Sequence, residues 1–327
     1  MRILHVNEHD KPGGAETTIA ELKEGLERRG VQNESYILAD VDGKIISTEI
    51  TFWKAMHNFQ PDIIHLHNIG IQSAILDWVL ETKLPLVWTL HDYWPFCTTR
   101  MTFWGGRLCP IPCDYRCGEH REGVKEFIEL GKVITLVENP TSQWMFEQYG
   151  IYPKLIACGV DLDKWKYGTN GTNGTKSRKG IFFTQADPHA WWKGEKIAKR
   201  IIAKLGEQAI SVRGTTEQVA EAMASCKIAL IPSLYPETFC RIAMEAKACG
   251  TVSVAFSVAG LAYQIKDGET GFLAKMGDEI ELLEKAKLAL EVDEDFRQRL
   301  RRDVEENWSL NKMVDEYLEV YNAKLHK

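Results

Sequence analysis

Short apolar runs alternate along the chain with longer segments in which apolar residues recur at helical spacing. In the segment 15–29, for example, Ile19, Leu22 and Leu26 fall on one helical face. Buried strands separated by helices are typical of a parallel, doubly wound sheet. In the first half of the chain the pattern predicts strands at 2–7, 35–38, 63–66, 86–90 and 132–137, and a further helix at 142–149.

The alternation breaks once, between residues 167 and 180. This stretch repeats Gly-Thr-Asn and contains almost no apolar side chain, so it predicts a flexible linker or an exposed loop. The alternation then resumes. The predicted strands are 181–184, 210–213, 228–232 and 251–255, the predicted helices are 195–205, 219–225 and 241–248, and the chain from 279 onward is mainly helical.

Two halves with the same pattern predict an α/β chain of two domains, residues 1–165 and 166–307, that face each other across a cleft. In open parallel sheets, ligands bind at the carboxyl ends of the strands. A cleft between two such sheets is also the preferred place for a small-molecule site.

Composition and charge narrow the choice of partners. The chain has 327 residues with 40 Lys and Arg against 46 Asp and Glu, for a net charge of −6 at pH 7. This balance argues against a nucleic-acid partner, because phosphate binding needs clustered cations. No apolar stretch approaches the roughly 20 residues that span a bilayer, and the N-terminus lacks a signal-peptide pattern. We therefore expect a cytoplasmic protein with mostly reduced cysteines.

The densest candidate chemistry lies between Pro232 and Ala246, where a strand ends and a helix opens. Glu237 precedes the helix, where a carboxylate can cap it, and Glu245 lies within it. Taken singly, each is most simply interpreted as a surface acid, one favoured by the helix dipole and one solvated. Together, after a Pro-Ser turn at a strand end, they indicate polar groups presented to a ligand.

This segment resembles the signature of the retaining family-4 glycosyltransferases, which have the GT-B fold. Their two glutamates stand eight positions apart in a Pro-Ser…Glu-x-Phe…Glu-Ala context, as Glu237, Phe239 and Glu245 do here. The resemblance covers nearly the whole chain. Six weaker matches occur in the family's order: Gly13-Gly14-Ala15-Glu16, 61–67, 89–92, Gly159-Val160-Asp161, Lys193-Gly194 and 267–273.

The resemblance implies that a hexose is moved from a nucleoside diphosphate sugar to a hydroxyl acceptor with retention of configuration. The acceptor would be a saccharide, a lipid-linked glycan or another hydroxyl compound, and a lipid-linked acceptor implies peripheral membrane contact. The second domain would bind the donor, and the helix 308–327 would pack back on the first. Catalysis would require no metal and no cofactor. Neither the resemblance nor the residues indicate an oligomeric state.

The resemblance also implies roles for single residues. Lys193 would stabilise the leaving diphosphate as a point charge, Glu237 would contact the donor sugar, and Glu245 would hold the ribose hydroxyls. His91 would lie beside the donor sugar and support acceptor attack. The other donor-side residues would be Gly13, Gly14, Thr238, Phe239 and Cys240, and the acceptor-side candidates are His67, Asp92 and Trp94.

Two departures from the family pattern bear on donor binding. Family members usually carry an arginine shortly before the lysine, where this chain has Gln185-Ala186-Asp187. Arg213 is our hypothesis for the missing charge. A Gly-Gly-x-x-Glu turn of the family is replaced by residues 259–264, so donor recognition near Gly260 is expected to differ. The missing arginine keeps an alternative open, a non-catalytic nucleotide-sugar-binding or scaffold protein derived from such an enzyme.

A cysteine cluster follows His91 and Asp92 and has two interpretations. Four sulfur ligands form a common structural zinc site, but the spacing is less typical than Cys-x-x-Cys. A structural metal or disulfide and four separate thiols therefore both stay open. Aromatic residues around the cluster predict either a stacking platform for the acceptor or the core of the loop itself. The cysteines are Cys97, Cys109, Cys113 and Cys117, and the aromatic residues are Tyr93, Trp94, Phe96, Phe103 and Trp104.

Overall fold

The computed structural model of the chain divides it into two compact units. Unit 1 comprises Met1–Ala157 and Met313–Lys327, and unit 2 comprises Cys158–Lys312. The structure describes residues 1–8, 13–39, 44, 46–70, 74–100, 102–104, 107–109, 117–168, 178–184 and 190–326. The predicted linker therefore lies largely outside the described residues, as do the positions 185–187.

Unit 1 contains a six-stranded parallel sheet. Its strands are β1 (Arg2–Asn7), β2 (Gln32–Ile37), β3 (Ile63–Leu66), β4 (Leu86–Thr89), β7 (Ile134–Val137) and β8 (Lys154–Leu155), and β5 (Phe103–Trp104) and β6 (Arg107–Leu108) form a separate antiparallel pair. The helices are α1 (Gly14–Arg28), α2 (Glu49–Phe59), α3 (Ile75–Glu81), α4 (Gly118–Leu130) and α5 (Pro140–Glu147). The strand order is β2-β1-β3-β4-β7-β8. Every residue of β3 and β4 is buried, as expected for central parallel strands covered on both faces.

Unit 2 contains a five-stranded parallel sheet. Its strands are β9 (Ile181–Phe182), β10 (Ala209–Ile210), β11 (Ile228–Ile231), β12 (Val252–Phe256) and β13 (Phe272–Ala274), in the order β10-β9-β11-β12-β13. A 3-10 turn, Trp191–Lys193, precedes the first of its helices. The helices of the second half are α6 (Glu195–Leu205), α7 (Thr216–Ser225), α8 (Arg241–Ala248), α9 (Ala259–Gln264), α10 (Glu279–Leu290), α11 (Glu294–Asn307) and α12 (Leu310–Leu325).

The predicted α/β class with two doubly wound parallel sheets is confirmed. In each sheet the first strand along the chain has one neighbour on each side, so the strand order reverses there. The reversal lies between β1 and β3 in unit 1 and between β9 and β11 in unit 2. The crevice outside the carboxyl ends of strands at such a point is the usual ligand site of these sheets. Within the described part of the chain, no helix is long and apolar enough to cross a bilayer.

Candidate functional site

The loop between β11 and α8 places Glu237 against Lys193. Nζ of Lys193 lies 2.8 Å from Oε1 and 3.0 Å from Oε2 of Glu237. The carboxylate side chain is 4% exposed, whereas that of the lysine is 36% exposed. The ion pair therefore has a buried anion and a cation that reaches solvent.

Two hydroxyl groups from the same loop complete the environment of the carboxylate. Ser233 Oγ donates to Oε1 of Glu237 at 2.6 Å, and the hydroxyl of Tyr235 donates to Oε2 at 2.7 Å. Nζ of Lys193 also lies 4.9 Å from the centroid of the Tyr235 ring, within cation–π range. These donors offset the cost of removing the carboxylate from water.

Lys193 is a cation at neutral pH. Burial alone lowers the pKa of Lys193, but the charge of Glu237 opposes burial most strongly, and the pKa of Lys193 lies above its ordinary value. Burial, reinforced by Glu237, holds the pKa of the Cys240 thiol well above its usual range. Cys240 is therefore a neutral thiol rather than a nucleophilic thiolate.

Gly194 brings the lysine close to the loop that carries Glu237. Gly194 has φ +73°, and a Cβ there would lie 2.0 Å from the carbonyl oxygen of Pro232. The backbone N–H of Leu234 donates to the carbonyl of Trp192 at 2.7 Å. The positive φ and the close approach to Pro232 require a residue without a side chain after Lys193, so the Lys-Gly sequence sets the position of the cation.

Gly260 supports the same loop from the other side. Its N–H donates to the carbonyl oxygen of Glu237 at 2.8 Å, and a Cβ there would lie 2.7 Å from Cα of Phe239. The departure from the family pattern at residues 259–264 forms helix α9. This short helix packs its second residue directly on the backbone that presents Glu237.

Helix α8 begins differently from the sequence-based expectation. The expectation that Glu237 caps this helix is wrong: Cys240 is the N-cap, in a left-handed conformation with φ +72°, and it makes no side-chain cap hydrogen bond. Glu245, just over one turn into α8, is buried and its Oε1 lies 3.1 Å from Nε of Arg241. Arg241 also donates to the carbonyl of Gly159 at 3.3 Å. The carboxylate of Glu245 is therefore held in place by its own helix.

The remaining donor-side candidates of unit 2 lie in different surroundings. Phe239 is buried, with its ring centroid 5.8 Å from that of Trp308. Thr238 is half-buried in the same loop, whereas Arg213 is exposed after β10. The role of Arg213 as a second positive charge stays a prediction.

In unit 1, three buried histidines and a glutamate form a continuous row, which we call the histidine row. Nδ1 of His91 lies 2.8 Å from Oε1 of Glu138, and Nε2 of His91 lies 3.1 Å from Nδ1 of His67. Nε2 of His67 lies 2.9 Å from Nδ1 of His5. Burial lowers the pKa of His5 to about 3 and holds that of His67 well below its ordinary value. Both rings are therefore neutral.

His65 packs beside this row without belonging to it. Its ring centroid lies 4.0 Å from that of His67, its Nε2 lies 2.8 Å from Oγ1 of Thr89, and its Nδ1 lies 2.7 Å from the hydroxyl of Tyr321. Among the described residues, His5, His65 and His67 are the only group of three or more potential metal-ligating side chains whose ligand atoms all lie within 4.8 Å of one another. Five of their six ring nitrogens already lie at hydrogen-bond distance from protein groups, which indicates a hydrogen-bond network rather than a metal centre.

Asp92 and Arg100 lie where β4 ends. Oδ1 of Asp92 accepts a hydrogen bond from the backbone N–H of Trp94 at 2.8 Å, and Oδ2 lies 3.5 Å from the Arg100 guanidinium. Arg100 also donates to Oε2 of Glu8 at 2.7 Å. Burial raises the pKa of Asp92, although Arg100 opposes this. This edge of the sheet is therefore a small charged network of two acids and one base.

The glycine loop of the first domain is described only in part. Gly13 is exposed with extended backbone, and its carbonyl accepts a hydrogen bond from the N–H of Thr17 at 3.0 Å as α1 begins. Gly14 is the first residue of that helix. The preceding positions 9–12 lie outside the described residues, so the donor contact expected of both glycines stays a prediction.

The aromatic residues after His91 belong to the core of unit 1. Tyr93, Trp94 and Phe96 are all buried in one apolar cluster, which agrees with the second of the two interpretations given above. The ring of Trp94, only 8% exposed, offers little surface to an acceptor. The side chains of Phe103 and Trp104 lie outside the description.

Three of the four clustered cysteines are described. No disulfide joins Cys97, Cys109 and Cys117 to one another. Sγ of Cys97 lies 3.1 Å from Oγ1 of Thr99, and Sγ of Cys117 lies 3.4 Å from Oγ1 of Thr98. Because Cys113 lies outside the described residues, structural zinc at this cluster stays a prediction.

Sequence reasoning missed several residues that complete these sites. Glu138 follows β7 directly, which is the same strand-end position that singled out His91, so that signal was available. Ser233 and Tyr235 lie inside the same segment, 232–246, as the two glutamates, but their uncharged side chains did not single them out as site residues. Arg100 adopts a left-handed conformation with φ +62°, and no periodic signal marks it.

Two protein-family descriptions match the chain. "Glycosyltransferase Family 4" matches residues 34–164, and "Glycosyl transferases group 1" matches residues 192–307. The first match contains the histidines His67 and His91, and the second contains Lys193, Glu237 and Glu245. Together the two matches span well over half of the chain.

Individual relatives match over shorter stretches. The N-acetyl-alpha-D-glucosaminyl L-malate synthase of Bacillus anthracis is 30% identical over 118 residues, which cover 35% of this chain and 31% of that protein. A D-inositol 3-phosphate glycosyltransferase of Stackebrandtia nassauensis is 44% identical over 62 residues, which cover 19% of this chain and 14% of that protein. The matched segments therefore span less than a third of either relative.

Solved structures match over nearly the whole chain. The sucrose-phosphate synthase of Thermosynechococcus elongatus superimposes with a TM-score of 0.77 at 15% identity, covering 98% of both chains. Anabaena Alr3699/HepE in complex with UDP-glucose gives a TM-score of 0.68 at 18% identity, covering 99% of this chain and 100% of that chain. At these identities the likeness shows a shared fold.

Proposed function

The chain belongs to the glycosyltransferase family that these two descriptions cover, and from this premise we propose that it moves a hexose from a nucleoside diphosphate sugar to a hydroxyl acceptor with retention of configuration. The observation that carries the proposal is the ion pair between Lys193, which ends the turn before α6, and Glu237, which stands eight positions before Glu245 in the chain. In this proposal unit 2 supplies a cation from the turn before α6, a sugar-binding carboxylate from the loop before α8 and a ribose-binding carboxylate from α8 itself.

The ion pair suits a diphosphate ligand. Nζ of Lys193 reaches solvent, and a diphosphate carries more negative charge than the single carboxylate that Nζ contacts in the free protein. In our proposal Nζ moves to the diphosphate, where it stabilises the charge that develops as the bond to the sugar breaks. Ser233 and Tyr235 continue to donate to Glu237, so that carboxylate keeps its position while it accepts hydrogen bonds from the sugar hydroxyls.

The nucleoside is proposed to lie along α8. Glu245 would accept hydrogen bonds from both ribose hydroxyls, and its contact with Arg241 keeps the carboxylate oriented for them. The first backbone N–H groups of α8 would face the diphosphate, since the N-terminus of a helix favours anions. Anabaena Alr3699/HepE was solved with UDP-glucose, which makes this donor the first probe to use.

Unit 1 is proposed to serve the acceptor through His91. Its Nδ1 is held by Glu138, so Nε2 is the nitrogen that a substrate hydroxyl can reach in exchange for His67. The acceptor is a saccharide, a lipid-linked glycan or another hydroxyl compound. The transfer needs no metal in this scheme, because Lys193 takes the place of a divalent ion at the diphosphate.

A donor panel tests the proposal. The protein is incubated with UDP-glucose and other nucleotide sugars, and both calorimetric binding and nucleoside diphosphate release are measured, with and without simple saccharide acceptors. We expect one donor to bind and to release its diphosphate slowly alone and faster with an acceptor. Binding without any release would favour the non-catalytic alternative. No binding of any nucleotide sugar would contradict both.

A further inference from the structure

The hydrogen bonds of the histidine row determine where its protons lie. A neutral imidazole has one N–H donor and one acceptor nitrogen, and a carboxylate is only an acceptor. As a carboxylate, Glu138 must receive its hydrogen bond from Nδ1–H of His91, 2.8 Å away. Nε2 of His91 is then an acceptor.

The same assignment passes along the row. Nε2 of His91 accepts from Nδ1–H of His67, and Nε2 of His67 accepts from Nδ1–H of His5. The row ends at Nε2 of His5, which is fully buried and has no hydrogen-bond partner among the described residues. All three rings therefore carry their proton on Nδ1. The last atom of the row, Nε2 of His5, is an acceptor whose lone pair receives no hydrogen bond from the described residues.

The reverse arrangement is less favourable. A protonated Glu138 would donate to His91, and each ring in turn would carry its proton on Nε2. The row would then end in a buried N–H of His5 without an acceptor, and orphaned buried N–H groups are rarer in proteins than under-satisfied acceptors. A charge on His5 or on His67 is also disfavoured, because burial lowers the pKa of both rings.

We propose that Glu138 is a positioning residue that fixes His91 as the neutral Nδ1–H tautomer, and that His67 and His5 continue the same polarity along the row. The role in transfer rests on the proposed function, because it requires that His91 faces the substrate. In this tautomer Nε2 of His91 presents a lone pair. When a substrate hydroxyl replaces His67 at that nitrogen, the hydroxyl is the donor and the imidazole is the acceptor. Glu138 determines this assignment because it accepts the hydrogen bond from Nδ1–H on the opposite side of the ring, which leaves Nε2 as the acceptor.

The tautomers can be measured without any substrate. In the full chain with ¹⁵N-labelled histidine, NMR distinguishes the two ring nitrogens, and single His→Gln variants assign the signals. We expect His5, His67 and His91 all to carry the proton on Nδ1, whereas a neutral histidine side chain in water favours Nε2. An Nε2–H form of His91 in the wild-type protein would overturn the proposal.

Variants test what sets the tautomer. Glu138→Leu removes the acceptor, and we expect His91 and His67 to lose the Nδ1–H form, whereas Glu138→Gln keeps an acceptor oxygen and preserves it. His67→Gln is expected to release His5 alone and to leave His91 as it is. The matched control is Tyr321→Phe, which removes a hydrogen bond from the neighbouring His65. Unchanged tautomers in Glu138→Leu would overturn the role of Glu138. If that variant does not fold, His67→Gln decides, because a change of tautomer at His91 in that variant would overturn the same role.

Activity provides the second readout. With a donor found by the panel above, Glu138→Leu is expected to lower kcat by roughly tenfold or more at unchanged donor affinity, because misplacing a reacting group is costly. Glu138→Gln and Tyr321→Phe are expected to stay near the wild-type value. A wild-type kcat in Glu138→Leu would contradict the positioning role. If no donor turns over at all, the proposed function fails, while the NMR result still decides the tautomers.

Discussion

Three side chains hold the carboxylate of Glu237, and only one of them is charged. The contacts from Ser233 and Tyr235 are shorter than or equal to those from Lys193, with distances of 2.6 and 2.7 Å against 2.8 and 3.0 Å. A hydrogen bond to a charged group stabilises by about 1.5–3 kcal/mol. The two hydroxyls can therefore keep the carboxylate in place when the lysine turns to a ligand.

Tyr235→Phe tests this arrangement at a single atom. The variant keeps the ring under Lys193 but removes the hydroxyl that donates to Oε2, so we expect donor turnover to fall roughly tenfold, as the loss of about 1.5 kcal/mol implies. Nucleoside diphosphate release is the measurement. Tyr152→Phe, at a tyrosine that is 76% exposed, is the matched control and should match the wild type. Equal turnover in the Tyr235 variant would mean that the hydroxyl has no part in positioning Glu237.

The candidate site was predictable from the sequence only where spacing carries the information. Glu237 and Glu245 stand eight positions apart in one motif, and Lys193 stands in a second, shorter motif with Gly194. Glu138 and His5 join their site through side-chain contacts between strands that are far apart in sequence, and no local pattern encodes such contacts. The aromatic residues after His91 show the converse, because the same composition suits a binding surface and a core.

At the scale of elements, the strongly periodic segments were predictable and the short ones were not. The predicted bounds of β3, α6 and α8 agree with the structure. Strands β8 and β13 have two and three residues, which is too short for an alternating pattern to show. Helix α2 was missed although Thr48 and Thr51 form a capping box at its start, because its aromatic and β-branched residues weaken the helical signal. Helix α4 was also missed, although its buried residues Val124 and Phe127 stand at helical spacing.

The contact between α9 and the loop that carries Glu237 predicts that two Gly→Ala substitutions change the stability of the protein in opposite directions. Gly260→Ala places a Cβ within 2.8 Å of backbone atoms of Glu237 and Phe239, so we expect unfolding to become easier by about 1–3 kcal/mol, as for other overpacked sites. Gly123→Ala in α4, where a Cβ meets nothing within 4 Å, should stabilise by up to about 1 kcal/mol through helix propensity. Urea unfolding of both variants gives the comparison. A Gly260 variant as stable as the wild type would show that the loop adapts, and would remove the proposed support.

At the scale of the whole molecule, each unit has its own sheet, its own core and its own row of polar groups at a point where the strand order reverses. Four of the described histidines of unit 1 are buried, and burial lowers the pKa of three of them, His5, His65 and His67. The unfolded chain therefore binds more protons than the folded one below the ordinary histidine pKa of about 6.5. Stability must fall as the pH falls from that value, and the contribution of His5 levels off only near its folded pKa of about 3.

The pH dependence has a matched pair of variants. His5→Gln removes one of the groups that bind a proton only in the unfolded chain. The slope of the free energy of unfolding against pH, between pH 6.5 and pH 5, should therefore decrease by up to about 1.4 kcal/mol per pH unit. His57→Gln, at an exposed histidine in α2, should leave the slope unchanged. Denaturant unfolding at several pH values gives both slopes. An unaltered slope in the His5 variant would mean that this ring is already charged or accessible in the folded protein.

The proposed transfer depends most on Lys193 as the cation that stabilises a leaving diphosphate. One comparison of rates tests this role directly. Nucleoside diphosphate release at saturating donor is measured for the wild type, for Lys193→Met and for Lys199→Met, a lysine on α6 whose side chain is 53% exposed. Removing a preorganised charge from a developing anion costs on the order of a hundredfold in rate. We predict that loss for Lys193→Met and wild-type release for Lys199→Met. Equal rates for all three proteins would contradict the role of Lys193 at the leaving diphosphate.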